Sequence, residues 1–225
     1  MTMERKLYWA VGILSILIFA SSFFMPGKPA EKTDLPWHIE HPAADKVRIF
    51  GMTLGQSTTN EAEQHFQEQA KPSLFKSPDG QLAAEMFFEQ VTLAEMKSKI
   101  VLSIAVPATE LQGMYERGLR MSGTGSGKKI TLAPEDVTRI RALPVSGLTY
   151  MPSVRLEEDV VSKRFGQPAQ RIREKKSGAI HWLYPQHGLD ITLGNGEKPV
   201  LQYVSPKEFD KLRQPLLAGG EVIGQ

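Results

Sequence analysis

The side chains able to do chemistry gather late in the chain. His181, His187 and Asp190 lie close together around an expected hairpin turn, and Ser205 follows the next apolar run. Imidazole, carboxylate and hydroxyl are the groups of a hydrolytic triad, which needs a nucleophile held beside a base and an oxyanion hole. No Gly-x-Ser-x-Gly elbow or other nucleophile context surrounds Ser205. The same His/His/Asp set has the geometry for a metal ion, with the usual third strong ligand left open. On strand parity His181 shares a face with Leu183, opposite Ile180, Trp182 and Tyr184, which places it on the exposed side or at the edge of packing. A second candidate is Trp37-His38-Ile39-Glu40-His41. Two histidines three apart can share an ion on a helix, but Pro36 and Pro42 bracket them too closely for one to form. The segment reads as a membrane-proximal polar turn with Trp37 near the interface. Met121 to Lys129 is glycine-rich, but the phosphate-loop spacing fails. Ser122 stands where glycine is required, and Lys129 where Ser or Thr is. No catalytic residue, cofactor or metal ligand is assigned, and the chain is not read as an enzyme.

Charge offers a different kind of site. Lys163, Arg164, Arg171, Arg173, Lys175 and Lys176 form the most marked basic cluster. It could dock an acidic partner or anionic lipid headgroups, although Glu157, Glu158, Asp159 and Glu174 balance it locally. A net charge of +2 gives no argument for nucleic acid. With no cysteine there is no disulfide, no thiol chemistry and no lipid-modified cysteine anchor. A hydrophobic fraction of 41% with 23% charge is that of a folded chain.

The element expected to place all of this is the charge-free run Leu7 to Met25, closed by Pro26 and Gly27. Nineteen residues of helix match the roughly 30 Å of a bilayer core. Leu7, Trp9, Ile13, Leu17 and Phe24 are its expected membrane-anchoring residues. Arg5 and Lys6 predict an inner-membrane, single-pass arrangement, N-in and C-out, with a periplasmic body. The alternative is a signal peptide cleaved near Ser22, leaving a secreted or periplasmic protein.

The expected organisation is a cytoplasmic stub and anchor at 1–27, a Pro-rich tether at 28–46, a first α+β unit at 47–106, a connector at 107–150, a second α+β unit at 151–214 and a flexible tail at 215–225. In the first unit Thr58 and Glu61 form a capping box, and Ala62, Phe66 and Ala70 repeat on one helical face. Leu82–Val91 and Met96–Val106 alternate as strands. In the second unit Leu156, Val160, Val161 and Phe165 make the helical face, ended by Gly166 and Pro168. Four short strands follow, around Gln170–Glu174, Ala179–Tyr184, Leu189–Leu193 and Val200–Val204.

Gly51-Met52-Thr53 before a capped helix is similar to the start of the SmpA/OmlA (BamE-like) envelope proteins. The later helix, Phe165-Gly166-x-Pro168, and Trp182-x-Tyr184 also resemble that family. The departures are the missing lipoprotein cysteine and two copies in place of one. The resemblance implies an α+β fold of the β-lactamase-inhibitor-protein type and, through it, protein binding or envelope assembly. The expected fold class is thus α+β, an N-terminal transmembrane helix plus two related helix-then-antiparallel-meander units. The expected function is non-catalytic binding of an envelope or inner-membrane protein. The alternatives are an accessory subunit of an integral membrane complex, held by its helix, and an exported hydrolase.

Overall fold

The structure, a computed structural model, describes residues 34–224 apart from 126, 195 and 197. Alternation decides most of what forms. In Leu82–Leu93 (β4), Ala84, Met86 and Phe88 are buried while Ala83, Glu85 and Phe87 face the other way. It pairs with Lys71–Lys76 (β3) on one side and Met96–Ile104 (β5) on the other. The helix before this meander, Thr59–Phe66 (α1), starts at a reciprocal cap. Thr58 Oγ1 accepts from the Glu61 amide, and a Glu61 carboxylate oxygen accepts from the Thr58 amide. Two short strands, Arg48–Ile49 (β1) and Met52–Thr53 (β2), make a separate ribbon ahead of it.

After β5 come helix Ala108–Glu116 (α2), the hairpin Arg120–Thr124 (β6) with Gly127–Thr131 (β7), and helix Pro134–Arg141 (α3). Strand Val145–Pro152 (β8) follows, then helix Glu158–Phe165 (α4). A second meander runs through Gln170–Glu174 (β9), Ile180–Tyr184 (β10), Leu189–Leu193 (β11) and Val200–Val204 (β12). Helix Asp210–Gly219 (α5) and strand Gly220–Gly224 (β13) end it.

These strands form one sheet of eleven, in the order β13-β9-β10-β11-β12-β8-β5-β4-β3-β7-β6. Every neighbouring pair is antiparallel. β8 is the joint, bonded to β5 on one edge and β12 on the other. Buried rungs cross it without a break. Phe88, Ile100, Tyr150, Leu201, Ile191 and Trp182 are successive cross-strand partners. All six are at most 1% exposed. Such pairs are the unit of sheet stabilisation, so this inner face is one core shared by both meanders. The outer face carries the alternate rung Phe87, Val101, Thr149, Gln202, Asp190 and Leu183. At its far end Leu212, Leu216 and Leu217 of α5 pack on Ile172, Leu183 and Phe209.

The expected architecture is therefore corrected. The two helix-then-meander stretches are not two units: they are bonded through β8 into a single sheet over one core. β8 comes from residues read as a connector, because which strand pairs with which is decided by long-range packing rather than by local pattern. Among the described residues no helix is long and apolar enough to cross a membrane, so the single-pass membrane architecture is not what they form. The expected spanning helix, with Leu7, Trp9, Ile13, Leu17 and Phe24, lies outside the described residues.

Residues 34–46, read as an extended spacer, lie against the sheet end. Tyr203 Oη donates to the Pro36 carbonyl at 2.7 Å, and Ser205 Oγ to that of Asp45 at 2.6 Å. The tail read as flexible also has a place, with β13 pairing along β9.

Candidate functional site

Of the four chemical candidates, the fold brings two together. The 3-10 turn Pro185–His187 closes the β10–β11 hairpin, and Gly188 follows it at φ +59°. A Cβ there would lie 2.0 Å from the Val204 carbonyl oxygen, so only glycine fits. This turn sets Leu183 opposite Asp190 and His181 opposite Thr192. His181 and Asp190 become diagonal neighbours on the outer face, with Nδ1 2.8 Å from the carboxylate Oδ2. Thr192 Oγ1 lies 3.2 Å from the same nitrogen. His181 is 9% exposed and Asp190 2%. Of the two expected placements, the exposed side or the edge of packing, His181 takes the second, because the outer face here carries the small core of Ile172, Leu183 and Phe209.

Burial opposes charge on His181, but the Asp190 hydrogen bond and charge, with a further contribution from Glu174, outweigh it and raise its pKa. Burial also pushes the Asp190 carboxyl up, against the His181 hydrogen bond. Its Oδ1 has no hydrogen-bond partner among the described residues.

The other candidates lie elsewhere. His187 sits in the turn, its Nδ1 2.9 Å from His41 Nε2, with the rings stacked at 5.2 Å. Ser205 is tied to the Asp45 carbonyl and is not beside His181. His38 contacts Glu40 at 3.2 Å, while His41 meets His187. Trp37 is not in a free turn: it packs edge-on to Phe165 at 6.4 Å, under the Arg164 guanidinium at 4.7 Å. Among the described residues no group of three histidines or acids could hold a metal ion. The glycine-rich stretch 121–129 is a hairpin, not a phosphate cradle.

Part of the basic cluster has local partners, Arg164 being the one over Trp37. Arg171 lies 3.7 Å over the Trp182 ring, and Lys163 bonds Asp159 one helical turn away. Arg173 lines a shallow pocket with Glu157 and Glu158. Lys175 and Lys176 are exposed in the β9–β10 turn.

The larger surface is the outer face of β3, β4, β5 and β8, which no helix covers among the described residues. Phe75, Phe87, Val101 and Met151 are half-buried there, and Lys97, Lys99 and Lys129 are exposed beside them. Lys99 and Lys129 reach over Phe87 and Phe75 at 5.9 and 5.8 Å. This face was missed in the sequence because Phe87 and Val101 read simply as the minor side of alternating strands.

No protein-family model, curated protein or solved structure matches the chain. The likeness to SmpA/OmlA proteins therefore rests on its motif residues alone. In this fold they are structural. Gly51 turns the chain at φ +71°, and Trp182 and Tyr184 are buried in the core. The Tyr184 hydroxyl donates to the Gly166 carbonyl, and burial lifts its pKa to about 12.

Proposed function

We propose that the protein is a non-catalytic protein-binding module that presents its sheet to a partner. The observation that carries this reading is the unroofed outer face of β3, β4, β5 and β8. Half-buried aromatic and aliphatic side chains, edged by Lys97, Lys99 and Lys129 with Glu85 and the Lys71–Glu89 ion pair among them, suit a partner that buries the former and matches the charges. The His181–Asp190 pair supports the same reading: the hydroxyl beside it, Thr192 Oγ1, meets the same Nδ1 that Asp190 already holds, and among the described residues no third metal ligand joins the pair. The resemblance to envelope proteins, together with the Leu7–Met25 run behind Arg5 and Lys6, supports an exported place of work. A reporter fused after residue 225 that is active only in the cytoplasm would refute that placement.

The experiment is site-specific photo-crosslinking in cells. A photoreactive side chain at Phe87 is expected to give a discrete protein adduct, while one at exposed Gln64 of α1, on the far side of the sheet, gives none. Equal labelling, or no adduct at Phe87, overturns the reading. So does a hydrolytic activity of the purified chain that Asp190→Asn abolishes.

A further inference from the structure

Strand β6 closes one side of the sheet, with β7 as its sole partner. All five of its residues are exposed. Its outer row of backbone N–H and C=O groups meets no further strand among the described residues. Natural sheets protect such an edge with proline, a bulge or a covering segment. β6 contains no proline, and its register with β7 has no shift.

The inner apolar layer also runs past the point where the sheet stops. Leu74 and Ile130 are buried partners on β3 and β7. The next residue on that rung, Met121, is 47% exposed, and Leu119 on the same side of the strand is 65% exposed. One more strand would cover both. On the other side of the strand stands Arg120, which makes no ion pair among the described residues. Lys129 shares that side, opposite Ser122. From residue 118 to 131 there are three basic residues, Arg120, Lys128 and Lys129, and no acid.

We infer that β6 receives an extended segment of an acidic protein partner by antiparallel or parallel strand addition. This inference rests on the protein-binding reading and gives it a location and a partner class. Backbone pairing supplies affinity, and alternate side chains supply specificity. Apolar residues of the incoming strand lie beside Leu119 and Met121, and acidic residues between them lie beside Arg120; Lys129, one strand further in, leans over Phe75 and adds only to the local positive field. Charge decides against a second copy of this edge, since two hairpins without an acid would meet. The opposite edge strand, β13, has Glu221 already set against Arg173.

The test uses the full chain and three labelled ten-residue peptides: alternating Val and Glu, alternating Val and Lys, and the Val/Glu peptide interrupted by prolines. Fluorescence anisotropy reads binding, and amide hydrogen exchange reads its place. The Val/Glu peptide is expected to bind, to slow exchange at residues 120–124 and to be released by salt. Neither of the other two should bind. Arg120→Glu should weaken the Val/Glu peptide roughly tenfold and admit the Val/Lys peptide. Gly123→Pro, which removes an N–H on the open side of β6, should abolish binding. If that variant misfolds, the surface change Arg120→Glu still decides.

The inference is overturned if no peptide binds, if Arg120→Glu leaves the Val/Glu peptide unaffected, or if protection appears away from β6. It is also overturned if residues 120–124 are protected by self-association without peptide. Any of these results alongside a persisting Phe87 crosslink removes the edge site and leaves the binding module standing.

Discussion

One rung of the outer face passes through two environments. At Phe87, Val101 and Thr149 it is half-buried, with lysines beside it and no roof. Two and three strands beyond Thr149, at Asp190 and Leu183, the same rung is 2% and 0% exposed, next to the apolar side of α5. The inner face shows no such contrast, since its rungs are buried from Phe88 to Trp182. The two meanders are thus equivalent where they build the core and unlike where they meet the surroundings. One has spent its second face on its own C-terminal helix, and the other has kept it.

The most damaging test of this comparison is at the joint. Tyr150 is fully buried between Ile100 and Leu201. Tyr150→Ala is expected to cost roughly 3–5 kcal/mol and to lower a single cooperative urea transition. Two separated transitions would mean that the meanders are independent after all.

The next test sets the two ends of the outer rung against each other. Leu183→Ala, beneath α5, should cost about 2–5 kcal/mol. Phe87→Ala, on the open end, should cost under about 1 kcal/mol and weaken partner crosslinking instead. Similar losses of stability at both positions would erase the distinction between a roofed and an open end.

The smallest effect is in pH. The folded state holds the His181 proton more tightly than the unfolded chain does. That contribution is complete below the unfolded value of roughly 6.5 and is lost as pH rises through the raised folded value. The raised Asp190 has the same sign. Above the unfolded histidine value this pair should therefore lower the urea midpoint as pH rises, against the opposite trend of His187, whose proton burial weakens, and His181→Gln should remove the falling component. An unchanged slope in the variant would assign the pH response to other groups.

Much of the local structure was written in short-range chemistry. Thr58 and Glu61 announce a helix start, and both capping bonds exist. The alternation of Ile100, Leu102 and Ile104 names the buried side of β5. Pairing across the molecule was not written there. Nothing near Val145–Pro152 says that this strand will lie between two meanders. Gly123 and Gly127 hide the β6–β7 hairpin behind a composition that reads as loop, since glycine lacks the side chain that strand patterns rely on. The site was legible in part. A turn at 185–188 fixes the register that sets Asp190 diagonal to His181. That the pair is buried depends on leucines of α5 more than twenty residues later, beyond the reach of strand parity. His41 beside His187 had no local signal at all.

The contacts of residues 34–46 have a consequence for how the protein is made. The carbonyls of Pro36 and Asp45 are bonded by Tyr203 and Ser205, more than 150 positions later. The earliest described segment to leave the ribosome is thus among the last to find its place. Until β12 has been synthesised, Phe50 lacks the Tyr203 ring it meets edge-on at 6.3 Å, and the inner core is open at that end. Folding of this long-range topology is slow for the same reason that loop closure is costly. Interrupting translation shortly before residue 200 should accordingly leave a nascent chain that proteases cut first between residues 34 and 50.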